Sequence, residues 1–166
     1  ADIATFSFHP VKIITTGEGG MLVTNNKKYY DRAKRFRTHG ITKSSTEFID
    51  QQNRLLPWYY EMQDLGFNYR LTDIQCALGI SQLRRIDSFL TKRREIASLY
   101  TRLLEGDQRF KPYREQTGCQ SSWHFYPLRI EGISPKQKQK LFQQLNNEGI
   151  FPQVHYISIH LHPYYR

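Results

Sequence analysis

Ser7-Phe8-His9-Pro10-Val11-Lys12-Ile13-Ile14-Thr15-Thr16-Gly17-Glu18-Gly19-Gly20 is the stretch on which the fold turns. Thr5 to Phe8, built of β-branched and aromatic residues, reads as a short strand. Ile13 to Thr16 and Met21 to Thr24 read as two more, joined by a tight turn whose glycines permit positive φ. A strand end therefore delivers Ser7, His9 and Lys12 into one short loop, and α/β proteins place ligands over strand ends. Lysine in such a place is a residue type that can form a Schiff base with a carbonyl, and a serine hydroxyl can donate to an anion such as phosphate. By residue chemistry alone, the more ordinary reading of Lys12 is a surface cation, one of 24 Lys and Arg.

Working outward, Asn26 is a candidate N-cap for a helix from about Lys27 to His39, with Gly40 as its terminator. Residues 41 to 66 are polar, aromatic and aperiodic, and read as a long excursion loop of the kind that serves function or moves. Thr72-Asp73-Ile74-Gln75 is a capping-box pattern, opening a helix with Ile74, Ala77 and Leu78 on one face. Phe89, Ile96 and Leu103 recur along a second helical stretch that ends at Gly106-Asp107. Beyond it the pattern is that of a small α+β unit. Trp123 to Ile130 and Phe151 to Tyr156 read as strands. Between them Ser134-Pro135-Lys136-Gln137 starts a helix whose stripe is Leu141, Phe142 and Leu145, with Gly149 as the stop.

Composition bounds the rest. Of 166 residues, 39% are hydrophobic and 14% aromatic, enough apolar surface to fold rather than remain disordered. No apolar run approaches the roughly 20 residues of a membrane span, and the first five residues lack the pattern of a signal peptide. The two cysteines, Cys76 and Cys119, form no zinc or disulfide pattern, and point to the cytoplasm. The net charge of +9 suits phosphorylated ligands, nucleic acid or an anionic surface. Its Lys and Arg are dispersed, and no nucleic-acid recognition motif accompanies them, so a nucleic-acid module stands as the rival class.

Two further segments carry chemistry. Leu65-Gly66-Phe67-Asn68-Tyr69-Arg70-Leu71 runs into the helix N-terminus at Thr72, an arrangement suited to phosphate; a capped helix with an incidental arginine fits the same residues. Val154-His155-Tyr156-Ile157-Ser158-Ile159-His160 is rich in imidazole, but its spacing matches no usual zinc pattern, so no metal is expected.

Ser7-Phe8-His9-Pro10-Val11-Lys12 followed by Gly17-Glu18-Gly19-Gly20 resembles the cofactor-lysine motif of the DegT/DnrJ/EryC1/StrS family, pyridoxal-phosphate-dependent sugar aminotransferases of fold type I. The segment Gly66 to Gln75 is similar to the family's Gly-x-Asn-x-Arg-x-x-Asp/Glu-x-Gln, and Val154 to His160 to its Val-His-Tyr-x-Pro-x-His, with Ser158 where proline is common. Trp58 to Gly66 and Ser81-Gln82-Leu83 resemble one branch of it.

The resemblance implies an α/β fold, the end of a large-domain sheet in residues 1–88, a connector helix over 89–105, and a small domain over 106–166. It implies that Lys12 carries pyridoxal 5′-phosphate, that Ser7 contacts its phosphate, and that Asn68 reaches the phosphate held by a second subunit of a homodimer with shared sites. Arg70, His155 and Tyr156 would lie near a nucleotide-sugar. The branch moves an amino group from glutamate to C4 of a UDP-linked 4-keto-6-deoxy-N-acetyl-hexosamine, in pseudaminic acid and flagellar or surface glycan synthesis. A different nucleotide-linked keto sugar is the alternative within the family, whereas its dehydratases carry histidine at the position of Lys12. The family's partner for the pyridinium nitrogen and the rest of its phosphate loop have no counterpart here. The chain is therefore expected to be a fragment, truncated beyond Arg166 as well, with little or no activity alone and with no nucleic acid or membrane as partner.

Overall fold

The computed structural model describes residues 1–166 and has an α/β architecture. Three antiparallel two-stranded pairs are set among four helices. β1 (Ala4–Ser7) pairs with β2 (Gly20–Val23), β3 (Ile41–Thr42) with β4 (Glu61–Met62), and β5 (Phe110–Pro112) with β6 (Leu128–Ile130). The helices are α1 (Lys27–Arg37), α2 (Asp73–Leu83), α3 (Ile86–Leu104) and α4 (Pro135–Asn147), and two short 3₁₀ turns close the chain at Ile159–Leu161 and Pro163–Tyr165. The chain divides into two compact units. The first takes Ala1–Leu99 with Gln116–Phe125; the second takes Tyr100–Glu115 with Tyr126–Arg166. No helix is long and apolar enough to cross a membrane.

In the first unit, α1 begins where Asn26 Oδ1 accepts from the Lys28 and Tyr29 amides at 2.9 and 3.4 Å. A side-chain cap of this kind contributes about 1 kcal/mol. The helix stops at Arg37, two residues short of the expected His39, because Thr38 leaves helical geometry and His39 and Gly40 adopt φ of +57° and +71°. Its terminal carbonyls are then taken by the 67–69 segment. Phe67 N–H donates to Phe36 O at 2.7 Å and Tyr69 N–H to Arg37 O at 3.0 Å. Orphan acceptors of the helix end thereby set the position of Asn68, which bridges to Thr38.

The excursion over 41–66 is not a free loop. β3 and β4 clamp its ends, and carboxylates organise its interior. Glu61 accepts from the Ile49 and Asp50 amides, both at 2.7 Å, and from Tyr59 Oη at 3.2 Å and Gln63 Nε2 at 2.7 Å. Phe48, 5% exposed, meets Tyr59 edge-on with centroids 4.9 Å apart.

The capping box predicted at Thr72 and Gln75 forms, and α2 follows. Its packed face differs from the expected one: Ile74 is 84% exposed and Leu78 40%, while Gln75, Gly79 and Gln82 are half-buried. The reason is a close approach at Gly79, where a Cβ would lie 2.9 Å from Thr16 Cγ2. Only a glycine surface lets the helix sit that near to Thr16. α3 likewise buries Ala97 rather than Ile96 and Leu103. Its Arg93 Nη1 donates to the carbonyls of Trp123 and His124, both at 3.2 Å.

In the second unit, β6 is only the last third of the strand expected over Trp123 to Ile130. Trp123 has φ of +48°, outside the β region, and Pro127 has no N–H for a ladder. α4 starts as read, with Ser134 and Gln137 forming a reciprocal capping box and Pro135 at the first helical position. The strand expected over Phe151 to Tyr156 does not form, because no neighbouring strand pairs with it.

Candidate active site

The loop bearing Lys12 is the interior of a hairpin. β1 and β2 pair from Ala4↔Val23 to Ser7↔Gly20, and the chain between them leaves as residues 8–19. Ile13 to Thr16 is not the strand expected from its β-branched residues. Its hydrogen bonds turn inward instead: Thr16 N–H donates to Phe8 O at 3.0 Å, and Thr15 Oγ1 donates to the same carbonyl at 2.9 Å. Phe8 N–H closes the base on Gly19 O at 2.8 Å. Thr16 is buried and donates its hydroxyl to Glu18 O at 2.7 Å, which shapes the glycine turn.

Lys12 stands at the end of a turn closed by its own N–H on His9 O at 2.9 Å, and is half-buried. Ser7 is exposed at the mouth of the loop. Its Oγ accepts from His9 N–H at 3.4 Å, so its own hydroxyl proton stays available to an anion.

Helix α2 is tied to the same loop. Gln75 Nε2 donates to Glu18 O at 3.0 Å, and a Cβ at Gly19 would meet Leu71 Cδ2 at 2.6 Å. A cleft of about 400 Å³ opens between them, walled by Glu18, Gly19, Gly20, Arg70 and Gln75 among others. Lys12 is not among its walls; the cleft takes the far arm of the lysine loop. The first unit therefore brings the glycine arm of the Lys12 loop together with Arg70. Asn68, exposed, lies two residues earlier, between the amides that bind the α1 carbonyls. His155 and Tyr156 belong to the second unit, where both are exposed and their rings stack with centroids 4.1 Å apart.

Three features escaped sequence reading. Gln75 was legible as a cap residue, but its second partner Glu18 is 57 residues away and leaves no local signal. Glu61 gathers donors from four residues of a loop with no periodicity. Burial alone would push its carboxyl up; the hydrogen bonds from Gln63, Ile49, Asp50 and Tyr59 prevail and hold it below the usual carboxylate value. Beside it, burial and the Asp50 charge push the Tyr59 phenol up. The third is the double role of His9, whose Nδ1 accepts from Val11 N–H at 3.3 Å. A histidine two residues before a potential donor is the signal that could have revealed it.

The residues present fit pyridoxal phosphate as far as this chain supplies them: an amine on a turn closed by hydrogen bonds, and a hydroxyl donor with a free proton at the mouth of the same loop.

The sequence profile of the DegT/DnrJ/EryC1/StrS aminotransferase family matches residues 1–166. The chain is 42% identical, over its whole length, to a UDP-4-amino-4,6-dideoxy-N-acetyl-beta-L-altrosamine transaminase of Campylobacter jejuni, and covers 41% of that protein. Among solved structures it is similar to Helicobacter pylori PseC, an aminotransferase of pseudaminic acid biosynthesis, with TM-score 0.86 and 35% identity; 99% of this chain and 42% of that one align. It is also similar to Spr1654 of Streptococcus pneumoniae in a PLP form, with TM-score 0.85 and 31% identity, over 99% of this chain and 40% of that one. The chain thus spans about two fifths of the length of these relatives, and its fold is that of the corresponding part of solved sugar aminotransferases. Sequence profile, identity and fold agree: this chain belongs to the DegT/DnrJ/EryC1/StrS aminotransferase family.

Proposed function

We propose that this chain supplies the cofactor lysine and part of the substrate site of a pyridoxal-phosphate-dependent transaminase. Its substrate is a UDP-linked 4-keto-6-deoxy-N-acetyl-hexosamine and glutamate is the amino donor, in the formation of the pseudaminic acid precursor. The observation that carries the reading is the Lys12 turn, closed at 2.9 Å on His9 and set in a loop whose base is locked at 2.8 Å by Phe8 and Gly19. Names and identities of the relatives, 42% for the Campylobacter enzyme, support the choice of sugar.

The cofactor, when bound, supplies an electron sink for charge developing at the substrate carbon. The chain's own residues do the rest. Lys12 Nζ would hold the cofactor through its amine and, once free, would be the group that moves a proton on and off the carbon that exchanges nitrogen. The Ser7 hydroxyl donates to the cofactor phosphate. Asn68 serves the phosphate of a second subunit, so the working site is built by a homodimer. Exposure of Phe6 and Met21, paired across the β1–β2 hairpin at 54% and 53%, supports further protein packing against this face. Arg70, in the wall of the 400 Å³ cleft, binds the anionic nucleotide portion. His155 and Tyr156 offer an imidazole and a phenol to the sugar. The free cysteines Cys76 and Cys119 support a cytoplasmic setting.

The test is amino transfer by the full-length polypeptide, with glutamate and the UDP-4-keto sugar, followed by mass spectrometry of the product. A 4-amino sugar is expected. Turnover only with another nucleotide-linked keto sugar would replace the substrate while keeping the reaction, and no transfer to any keto sugar would overturn both. The 166-residue chain alone is expected to give no turnover.

A further inference from the structure

We propose that His9 is the positioning residue for Lys12, fixing through its own carbonyl and ring the two amide hydrogens at the end of the turn that bears the lysine. The proposal rests on the reading of Lys12 as the cofactor lysine. Residues His9, Pro10, Val11 and Lys12 form a turn closed by Lys12 N–H on His9 O at 2.9 Å. The side chain of the same histidine adds a second tie, because Val11 N–H donates to His9 Nδ1 at 3.3 Å. Pro10 has no N–H to give, and its ring holds φ near one value. His9 therefore satisfies every amide donor of the turn that follows it.

The ring is itself oriented. Nδ1 accepts from Val11 N–H, and Nε2 lies 3.8 Å from a Glu18 carboxylate oxygen, near but beyond hydrogen-bond reach. His9 N–H donates to Ser7 Oγ at 3.4 Å. One residue thus connects Ser7, the Lys12 turn and the glycine arm. With the His9 and Glu18 side chains 47% and 76% exposed, this proximity contributes little to the stability of the fold. Loss of the ring leaves the carbonyl tie at Lys12 N–H intact but frees the Pro10–Val11 peptide, one residue earlier in the turn, to rotate. The lysine amine then samples more positions, and fewer of them meet a carbonyl held by the rest of the site.

The experiment uses the full-length polypeptide, cofactor-free and titrated with pyridoxal phosphate. It follows the visible absorbance of the lysine-linked cofactor, with melting temperatures recorded before addition. His9→Ala is expected to weaken cofactor retention about threefold to tenfold, the net worth of one neutral hydrogen bond, while the cofactor-free protein melts no more than a few degrees below His9→Asn. His9→Asn places an acceptor oxygen where Nδ1 stood and can bond the amide two residues on. It is expected to restore retention to within about twofold of the wild type, since it remakes that one bond. His9→Ala binding like the wild type, or His9→Asn as impaired as His9→Ala, would overturn the proposal. Lys12→Ala separates the two claims: a Lys12→Ala protein that kept the lysine-linked absorbance would overturn the lysine reading itself, whatever His9 does.

Discussion

The lysine loop and the Val154–His160 segment both carry candidate chemistry in the sequence, yet they are built in opposite ways. Residues 8–19 are laced by their own hydrogen bonds: Phe8 to Gly19, Thr15 and Thr16 to Phe8, and Gln75 to Glu18 from outside. Val154–Ile157 pairs with no strand, and only a 3₁₀ turn at Ile159–Leu161 follows it. Within it the His155 and Tyr156 rings stack on each other. The difference teaches where this chain by itself can hold a reactive group in place. A locally closed loop holds its own backbone in place, whereas the Val154–Ile157 backbone has no strand partner to do so.

The contrast can be broken at several depths. Lys12→Ala in the full-length protein is expected to lower amino transfer by about 10²–10⁴-fold or more, the scale of a lost proton-transfer group. His155→Ala is expected to change KM by no more than about tenfold, because one partly exposed polar contact is at stake. Comparable losses in kcat from the two would erase the distinction.

Glycines probe the same difference through stability. A Cβ at Gly19 meets Thr16 Oγ1 at 2.5 Å and Leu71 Cδ2 at 2.6 Å, so Gly19→Ala should destabilise by about 1–3 kcal/mol and weaken cofactor binding. Gly149, in the second unit, has φ of +76° and open space around a new Cβ. Gly149→Ala should cost about 1 kcal/mol from backbone strain, with cofactor binding unchanged. Urea unfolding of the two variants, paired with cofactor titration, separates these outcomes.

The smallest effects lie in acid. Asp107 is held well down, to about 2 from an ordinary 3.8, by the hydrogen bonds and charge of Arg109. A carboxyl lowered on folding stabilises above its unfolded value, and that contribution disappears as pH falls through the folded one. In Asp107→Asn the extra loss of stability between about pH 4 and 2 should therefore vanish. Glu61 has the same sign within the excursion loop. Glu61→Gln should flatten the acid limb below the ordinary carboxylate value and expose the 43–60 segment to protease. Thermal melts across pH, with limited proteolysis, read both.

Much of the architecture was legible because it is written locally. Asn26, Thr72 and Ser134 each announce a helix through a cap that bonds the next turn, and all three form. What could not be read was long-range. The packed face of α2 is decided by Gly79 meeting Thr16, 63 residues away, which apolar periodicity through Ile74 and Leu78 does not encode. Ile13 to Thr16 has the composition of a strand, but its donors are claimed by Phe8 across the loop, so propensity yields to closure. Phe151 to Tyr156 also has strand composition and lacks a neighbour to pair with. The site was legible to the extent that motifs name residues. Ser7, Lys12 and Arg70 could be named from motifs as candidates, whereas the His9 and Gln75 hydrogen bonds around them could not.

The central claim concerns the Lys12 amine. Full-length protein incubated with pyridoxal phosphate, reduced with borohydride, digested and analysed by mass spectrometry should carry the phosphopyridoxyl mass on the peptide containing Lys12 and on no other. A stoichiometric label on a different lysine of the folded protein, with Lys12 unmodified, would contradict the account.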